Sequence, residues 1–219
     1  QLDKLEKDLE KAEFDYQSKL KSDNQTNENL ITSARNIQSD LAIILTDTST
    51  ETDKLLWITD LYINWEYKDL RIYLGAKDIS LKDKVTTSFY TISSLQKKLD
   101  TMNSSDITDE NVTTYLKTYQ SIVTSLSDHF VLMKKIFIES IEDARYKAQM
   151  TLSQNTFTAL QTKNSSINAS ITSQLNTIRS YFSSYEDQQQ SLWKQIESLR
   201  SQIDLARKSL EDAQFNANI

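Results

Sequence analysis

The segment SLWKQIESLRSQIDLARKSLEDA, residues 191–213, repeats apolar residues at alternating steps of four and three. These positions are Leu192, Ile196, Leu199, Ile203, Ala206, Leu210 and Ala213. This spacing places them on one narrow stripe of a helix, as in a coiled coil. The same spacing reaches back to Leu175 through Ile178, Phe182, Tyr185 and Gln189 and forward to Ala217. It predicts a long helix over about residues 156–217.

The first 45 residues show the same spacing and predict a second long helix. The stripe runs through Leu2, Leu5, Leu9, Ala12, Tyr16, Leu20, Asp23, Asn27, Leu30, Ala34, Ile37, Leu41 and Ile44. Asp23 and Asn27 predict a polar stretch in its interior. A long polar helix needs a partner along its apolar stripe, because isolated helices are marginal in water. We therefore expect residues 1–47 and 155–219 to pair as antiparallel coiled-coil arms of a helical hairpin.

The composition excludes most other fold classes. Among 219 residues there are one glycine, no proline and no cysteine. A β-rich fold needs many tight turns, which glycine and proline normally supply. The absence of cysteine excludes disulfides and thiolate metal sites. We predict an all-α protein of about five helices, forming one elongated domain over residues 1–219.

Residues 48–154 are predicted to form a central helical bundle between the arms. Polar stretches predict breaks at TDTSTETD (46–53), NSSDITDEN (103–111) and, more weakly, LSQNTF (152–157). The predicted helices are 51–74, 80–102 and 109–151. Thr48 with Glu51 has capping-box spacing, Gly75 is expected to end a helix in the left-handed conformation, and Thr108 is expected to cap the next helix.

An aromatic cluster in the predicted helix 51–74 is the candidate contact site for a partner. Its members are Trp57, Tyr62, Trp65 and Tyr73. Tryptophan and tyrosine are enriched at the energetic centres of protein interfaces. Aromatic residues at helical spacing are also typical of a bundle core, so both interpretations remain open.

No constellation of residues predicts catalysis, a cofactor or a metal. His129 is the only histidine, and its sequence neighbours do not provide metal-ligand spacing. Glu139, Glu142 and Asp143 cluster beside Arg145, which favours a solvated charged face over a metal site. One glycine cannot form a Gly-rich phosphate loop. We predict that the chain is not an enzyme and has no cofactor.

Charge and hydropathy restrict the partners. The formal net charge is −6, which disfavours nucleic acid because phosphate backbones attract basic surfaces. No apolar run approaches the length of a membrane-spanning helix, so direct membrane insertion by this segment is not expected. Protein partners are the remaining class.

The two ends resemble the helical arms of membrane fusion proteins. LARKSLEDAQFNANI (205–219) is similar to the end of their descending arm, with Ala206, Leu210, Ala213, Phe215, Ala217 and Ile219 matching its pattern and Asn218 standing at its proline position. QLDKLEKDLEKAEFDYQ (1–17) is similar to the ascending arm. The family comprises the periplasmic adaptor subunits of HlyD/MacA-like exporters, in which a helical hairpin is inserted into a lipoyl-like domain.

The resemblance implies a non-catalytic helical rod in the periplasm or cell envelope. It would bridge an inner-membrane transporter to an outer partner in efflux or secretion. The implied partners are the transporter complex and further copies of the chain, with oligomerisation depending on the family's other domains. A different class also fits the sequence: an extracellular helical adhesin, effector or translocator-like coiled coil that acts by protein–protein binding. A ferritin-like metal protein is a more distant third.

Overall fold

The computed structural model describes residues 1–59, 61, 67 and 69–217. The α-helices in these ranges are α1 (Leu2–Leu56), α2 (Leu70–Tyr73), α3 (Ser80–Asp100), α4 (Val112–Ile138) and α5 (Lys147–Ala217). A 3₁₀ turn covers Ser104–Asp106, and no strand occurs among the described residues. The prediction of an all-α protein of about five helices is confirmed.

The chain divides into two compact units. Unit 1 comprises residues 1–29 and 176–219, and unit 2 comprises residues 30–175. Unit 1 is therefore shorter along both segments than the predicted arms, 1–47 and 155–219. The expectation of one elongated domain stays a prediction.

Unit 1 consists of the first part of α1 lying against the last part of α5. Arg207 Nη2 donates to Glu6 Oε1 at 2.8 Å, and Arg200 Nη2 donates to Glu13 Oε1 at 2.8 Å. Farther along, Gln189 Nε2 donates to Asp23 Oδ2 at 3.2 Å. Residue numbers rise in one segment as they fall in the other, so the two segments run in opposite directions.

The interior of unit 1 is narrow and partly polar. Ala12, Ile178, Ile196 and Ile203 are buried, and so is the carboxylate-bearing Asp23. The spacing correctly predicted these positions because it places them on one helix face. Phe182 and Leu210 are exposed, so their predicted places in the apolar stripe are wrong. Phe182 instead packs its ring edge-on against Tyr181 at 5.8 Å.

Unit 2 has a larger apolar interior, shared by α1, α3, α4 and α5. Its fully buried side chains include Leu41, Ile44, Leu45, Leu55, Leu70, Leu74, Val85, Ile92, Leu116, Tyr119, Ile122, Leu126, Met133, Ile136 and Ile171. On α4 the buried residues recur at steps of three and four over the whole helix. This repeat gives α4 a broad apolar face, as expected of a helix in a packed bundle.

The connection between α3 and α4 is fixed against α1. Arg35 Nε donates to Ser104 O at 2.9 Å, and Gln38 Nε2 donates to Met102 O at 2.5 Å. The phenol of Tyr119 donates to Gln38 Oε1 at 3.0 Å. Burial of this tyrosine raises its pKa well above the ordinary value. These bonds hold the 102–104 backbone against α1.

The predicted break at 46–53 is wrong, because α1 continues to Leu56. Thr48, Thr52 and Asp53 are buried in unit 2, although their polar side chains suggested a solvent-facing loop. The hydroxyl of Thr52 donates to Thr48 O at 2.7 Å, so the helix itself satisfies it. Thr48 and Glu51 lie inside the helix and form no capping box.

The predicted helix 51–74 is also wrong. Helix α1 ends at Leu56, and Trp57 has a positive φ of 52°. Among the described residues between Trp57 and Leu74, the α-helical ones are the four of α2. The left-handed conformation predicted for Gly75 is confirmed by its φ of 59°.

The breaks predicted around α4 need two corrections. Helix α4 starts at Val112 with Asn111 as its N-cap residue, three residues after the predicted Thr108. It ends at Ile138, and α5 begins at Lys147, so the break falls within 139–146 and not at 152–157. Ser153 lies inside α5 and is buried, which explains how a polar stretch remains helical.

Candidate docking surface

Exposed aliphatic side chains cluster at one end of unit 2, which we call the turn end. Here α1 and α4 terminate, α3 and α5 begin, and α2 lies between them. The exposed side chains are Leu61 (80% accessible), Ile72 (62%), Ile79 (74%), Ile138 (60%) and Ile141 (47%). Single exposed aliphatics are ordinary, but several at one end of a bundle form a candidate contact surface.

The C-terminus of α1 is closed by an unusual residue, Trp57. Its amide donates to Asp53 O at 2.7 Å, and its φ of 52° turns the chain out of the helix. Asp53 is buried, and its carboxylate accepts hydrogen bonds from the amide of Thr59 at 2.6 Å and from the Thr59 hydroxyl. The guanidinium of Arg71 stacks over the indole of Trp57, 4.9 Å from the ring centroid. These contacts hold a left-handed backbone that a bulky residue rarely adopts.

Gly75 joins the α2 turn to the end of α4. Its amide lies 3.1 Å from Ile136 O and 3.0 Å from Ser140 Oγ, and it donates to both. A Cβ at this position would stand 2.8 Å from Ile136 Cγ1, which is closer than side chains pack. Glycine is therefore required here both for its φ and for the close approach.

Two further backbone bonds complete this junction. Lys77 N donates to Glu139 O at 2.9 Å, and Ile141 N donates to Tyr73 O at 3.0 Å. Together with the bonds of Gly75 they bind residues 73–77 to residues 136–141. The exposed Ile138 and Ile141 are thus presented on backbone held at several points.

Tyr73, one of the predicted contact residues, braces the turn before α5. Its phenol oxygen accepts from Arg145 Nη2 at 2.8 Å, and its ring lies 5.5 Å from the ring of Tyr146. Arg145 also holds Asp143 with Nε to Oδ1 at 3.0 Å and Nη2 to Oδ2 at 2.8 Å. The Tyr146 phenol donates to Asp69 Oδ2 at 3.1 Å. This network connects the α2 region to the start of α5.

The charges in this network reinforce one another. Hydrogen bonds from the Arg145 side chain and backbone hold the pKa of Asp143 well below its usual range, and the same contact raises the pKa of Arg145. Desolvation, followed by its bond to Asp69, raises the pKa of Tyr146. Asp143 and Arg145 are therefore both charged near neutral pH, and Tyr146 is neutral.

Two of the four predicted contact residues lie at the turn end. Trp57 lies under Arg71, and Tyr73 contacts Arg145 and Tyr146, so they support the surface. Tyr62 and Trp65 lie outside the described residues. Sequence reasoning missed Ile79, Ile138 and Ile141. Ile79 stands beside the start of a predicted helix, whereas Ile138 and Ile141 lie inside the predicted helix 109–151, where nothing marked them as exposed.

His129 is a structural residue at the centre of unit 2. It is completely buried, with Nε2 at 2.8 Å from Thr52 Oγ1 and Nδ1 at 3.1 Å from Ser88 Oγ. The Thr52 hydroxyl donates its proton to Thr48 O, so it must accept the Nε2 proton of the imidazole. Ser88 then donates to Nδ1. Burial lowers the pKa of His129 to about 4, so the ring is neutral in the folded unit.

The acidic cluster on the predicted helix four has a structural account. Asp143 pairs with Arg145, and Glu139 and Glu142 lie in the same turn between α4 and α5. Over the described part of the chain, no group of three or more histidine, cysteine, aspartate or glutamate side chains is arranged to hold a metal ion.

Comparison with known proteins gives no match. No protein-family model, curated protein or solved structure matches the chain. Within the described ranges, no helix is both long enough and apolar enough to cross a membrane.

Proposed function

We propose that the chain is the helical domain of a membrane fusion protein, the periplasmic adaptor class of HlyD/MacA-like exporters. It acts without catalysis, as an antiparallel coiled-coil hairpin with an added helical bundle. Its role is to bridge an inner-membrane transporter to an outer protein partner in efflux or secretion. The turn end of unit 2 is the surface that contacts a protein partner.

The observation that carries this proposal is the antiparallel contact within unit 1. Glu6 with Arg207 and Glu13 with Arg200 pair charges across the two segments. Such cross-helix pairs select partner and direction in coiled coils. In a hairpin inserted into another domain, the two helical arms must run in opposite directions. These ion pairs support that direction.

The turn end supports the contact role. Its exposed aliphatics can be desolvated by a partner at about 25 cal/mol for each Å² of apolar surface. The bonds of Gly75 and Arg145 fix the backbone that presents them, which lowers the entropy cost of binding. The residues to test are Ile79 and Ile138, because both project from helix ends and contribute to no buried core.

The test is a double variant, Ile79→Asp with Ile138→Asp, expressed in cells that contain the exporter and lack the unaltered protein. We expect export of the cargo to fall at least about tenfold, since each charge opposes burial of an apolar contact. The matched control is Ile43→Asp, which places the same charge on an exposed isoleucine (54% accessible) of α1 in unit 2. Adaptor abundance and the helical circular dichroism of the purified chain are measured for each variant.

Full export by a stable, normally abundant double variant would remove the turn end from the proposed role. Unchanged export after deletion of residues 50–150 would remove the whole bundle. A variant that loses attachment to a surface or partner, in cells where cargo export never depended on the protein, would instead favour the adhesin or effector class.

A further inference from the structure

One face of α5 in unit 2 is almost free of charge. Residues 148–175 contain a single charged side chain, Lys163, in a chain of which 26% is charged. The exposed residues on this face are amides and hydroxyls: Thr151, Gln154, Asn155, Thr158, Gln161, Thr162 and Ser165. We call them the amide–hydroxyl face. Solvated helix faces usually carry Lys, Glu and Arg, whereas interface centres are depleted in charge.

Lys163 lies outside this face. A residue advances about 100° around an α-helix, so Lys163 is about 160° from Gln161 and Ser165, about 140° from Thr158 and about 80° from Asn155. The amide–hydroxyl face thus carries no charged side chain, and the one cation of this stretch lies beyond its Asn155 edge.

Three of the four hydroxyls of this face donate to a backbone carbonyl of α5 itself. Thr158 Oγ1 donates to Gln154 O at 2.8 Å, Thr162 Oγ1 donates to Thr158 O at 3.0 Å, and Ser165 Oγ donates to Gln161 O at 3.0 Å. Covering these groups would leave no donor unpaired, so their desolvation is inexpensive. The remaining polar groups to satisfy are the exposed amides and the Thr151 hydroxyl.

The exposed amides are complementary to themselves. Each carries both a donor and an acceptor, so Gln154 or Gln161 can bond an identical amide, which a carboxylate or an ammonium group cannot do. Two chains of charge −6 repel each other over most of their surfaces. An uncharged, self-complementary face is where two identical copies meet with the least repulsion.

A groove beside the face provides apolar contact. It lies between α4 and α5, with a volume of about 380 Å³, and its floor is formed by Phe130, Phe137 and Phe157. One wall consists of Lys134 and the exposed Ile138, and the other consists of members of the amide–hydroxyl face. Lys134 is the only charged side chain in its lining.

We propose that the amide–hydroxyl face of α5 binds a second copy of the same face, antiparallel, about a twofold axis near Thr158. In this arrangement Asn155 of one copy lies opposite Gln161 of the other, and Thr151 lies opposite Ser165. The contact is isologous, as in most homodimers. Its groove shares Ile138 with the turn end, but the contact does not depend on the adaptor proposal.

A single helix–helix contact is smaller than the roughly 1,200 Å² of a stable interface, so the association is weak and calls for covalent capture. The chain has no cysteine, so one introduced thiol reports one position. We compare Thr158→Cys with the control Lys163→Cys, which is also exposed and lies about 140° around α5 from Thr158. Under mild oxidation we expect about tenfold more covalent dimer from Thr158→Cys, because a disulfide needs Cβ atoms within about 4.5 Å.

A second pair of variants tests the register. Asn155→Cys mixed with Gln161→Cys should give mainly the mixed disulfide, whereas either variant alone should give little. Thr158→Glu places two carboxylates at the axis and should weaken association, measured by sedimentation, about tenfold. Equal capture of Thr158→Cys and Lys163→Cys, or an unchanged dimer with Thr158→Glu, would overturn the proposal. Export measurements play no part in this test, so the adaptor role can fail independently.

Discussion

Units 1 and 2 are built from the same two long helices but hold them together in different ways. Unit 1 has few buried apolar side chains, a buried Asp23, and exposed ion pairs across its helices. Unit 2 has a broad interior of leucine, isoleucine and phenylalanine that also encloses His129. The same helix therefore changes from a narrow polar contact to a packed core along its length.

The difference shows what the third and fourth helices contribute. A two-helix contact covers only one stripe of each helix, so half-buried residues such as Leu5 and Leu9 remain partly solvated. In unit 2, α3 and α4 cover more of the surface of α1 and α5, and polar residues such as Thr52 become fully buried. Stability should accordingly be concentrated in unit 2, while unit 1 should open more readily.

The largest expected effect comes from removing core volume. Leu116→Ala in unit 2 should lower the free energy of unfolding by about 3–4 kcal/mol, because it leaves a cavity among rigid neighbours. Leu9→Ala in unit 1 should cost only about 1 kcal/mol, since that side chain is half-solvated already. Urea unfolding followed by circular dichroism measures both. Equal losses would contradict the contrast between the two interiors.

The next effect is a pH dependence confined to unit 2. The folded pKa of His129 is about 4 against an unfolded value of 6.5, so the folded unit binds fewer protons between these values. Its stabilising contribution is therefore complete above pH 6.5 and is lost as the pH falls towards 4. Between pH 7.5 and pH 5 the loss should be about 2 kcal/mol.

The control for this prediction is His129→Gln, measured over the same pH range. Thr52, Ser88 and Phe157 surround the ring from α1, α3 and α5, and none of them carries a charge. The glutamine variant should therefore lose most of the pH dependence between pH 7.5 and pH 5, even if it is less stable throughout. An equally steep dependence in the variant would assign the effect to other groups.

The smallest effect concerns the ion pairs of unit 1. Arg200 and Glu13 are about half-exposed, so Arg200→Gln should cost only about 0.2–1 kcal/mol at low salt. The cost should fall further in 0.5 M salt, because screening weakens exposed pairs. A loss above 2 kcal/mol would mean that unit 1 depends on charge pairing far more than its exposure indicates.

Sequence patterns predicted the fold best where the buried residues of a helix form a single apolar stripe. The steps of three and four from Leu30 to Ile44 gave the inward residues of α1 correctly, and α3 was predicted within two residues of its ends. Gly75 was also correct, because only glycine combines a positive φ with so close an approach to Ile136.

The wrong predictions arose where tertiary contacts outweigh local composition. Thr48 and Thr52 resembled a loop, but their burial against His129 keeps α1 helical. The break after Ile138 was missed because its residues are good helix formers. Bonds from Tyr73 and Gly75, distant in sequence, divert the chain there. The exposed isoleucines of the turn end follow from these breaks, so local spacing could not reveal them.

The positions of the tryptophans allow the unfolding of each unit to be followed by fluorescence. Trp193 lies in unit 1 with its ring 5.9 Å from Tyr16, and Trp57 lies in unit 2 beneath the Arg71 guanidinium. The chain has three tryptophans, the third being Trp65. Replacing Trp65 and either of the other two with phenylalanine leaves one emitter in a known unit. The emission of each variant then follows the unfolding of one unit alone, so the protein carries its own pair of fluorescent reporters.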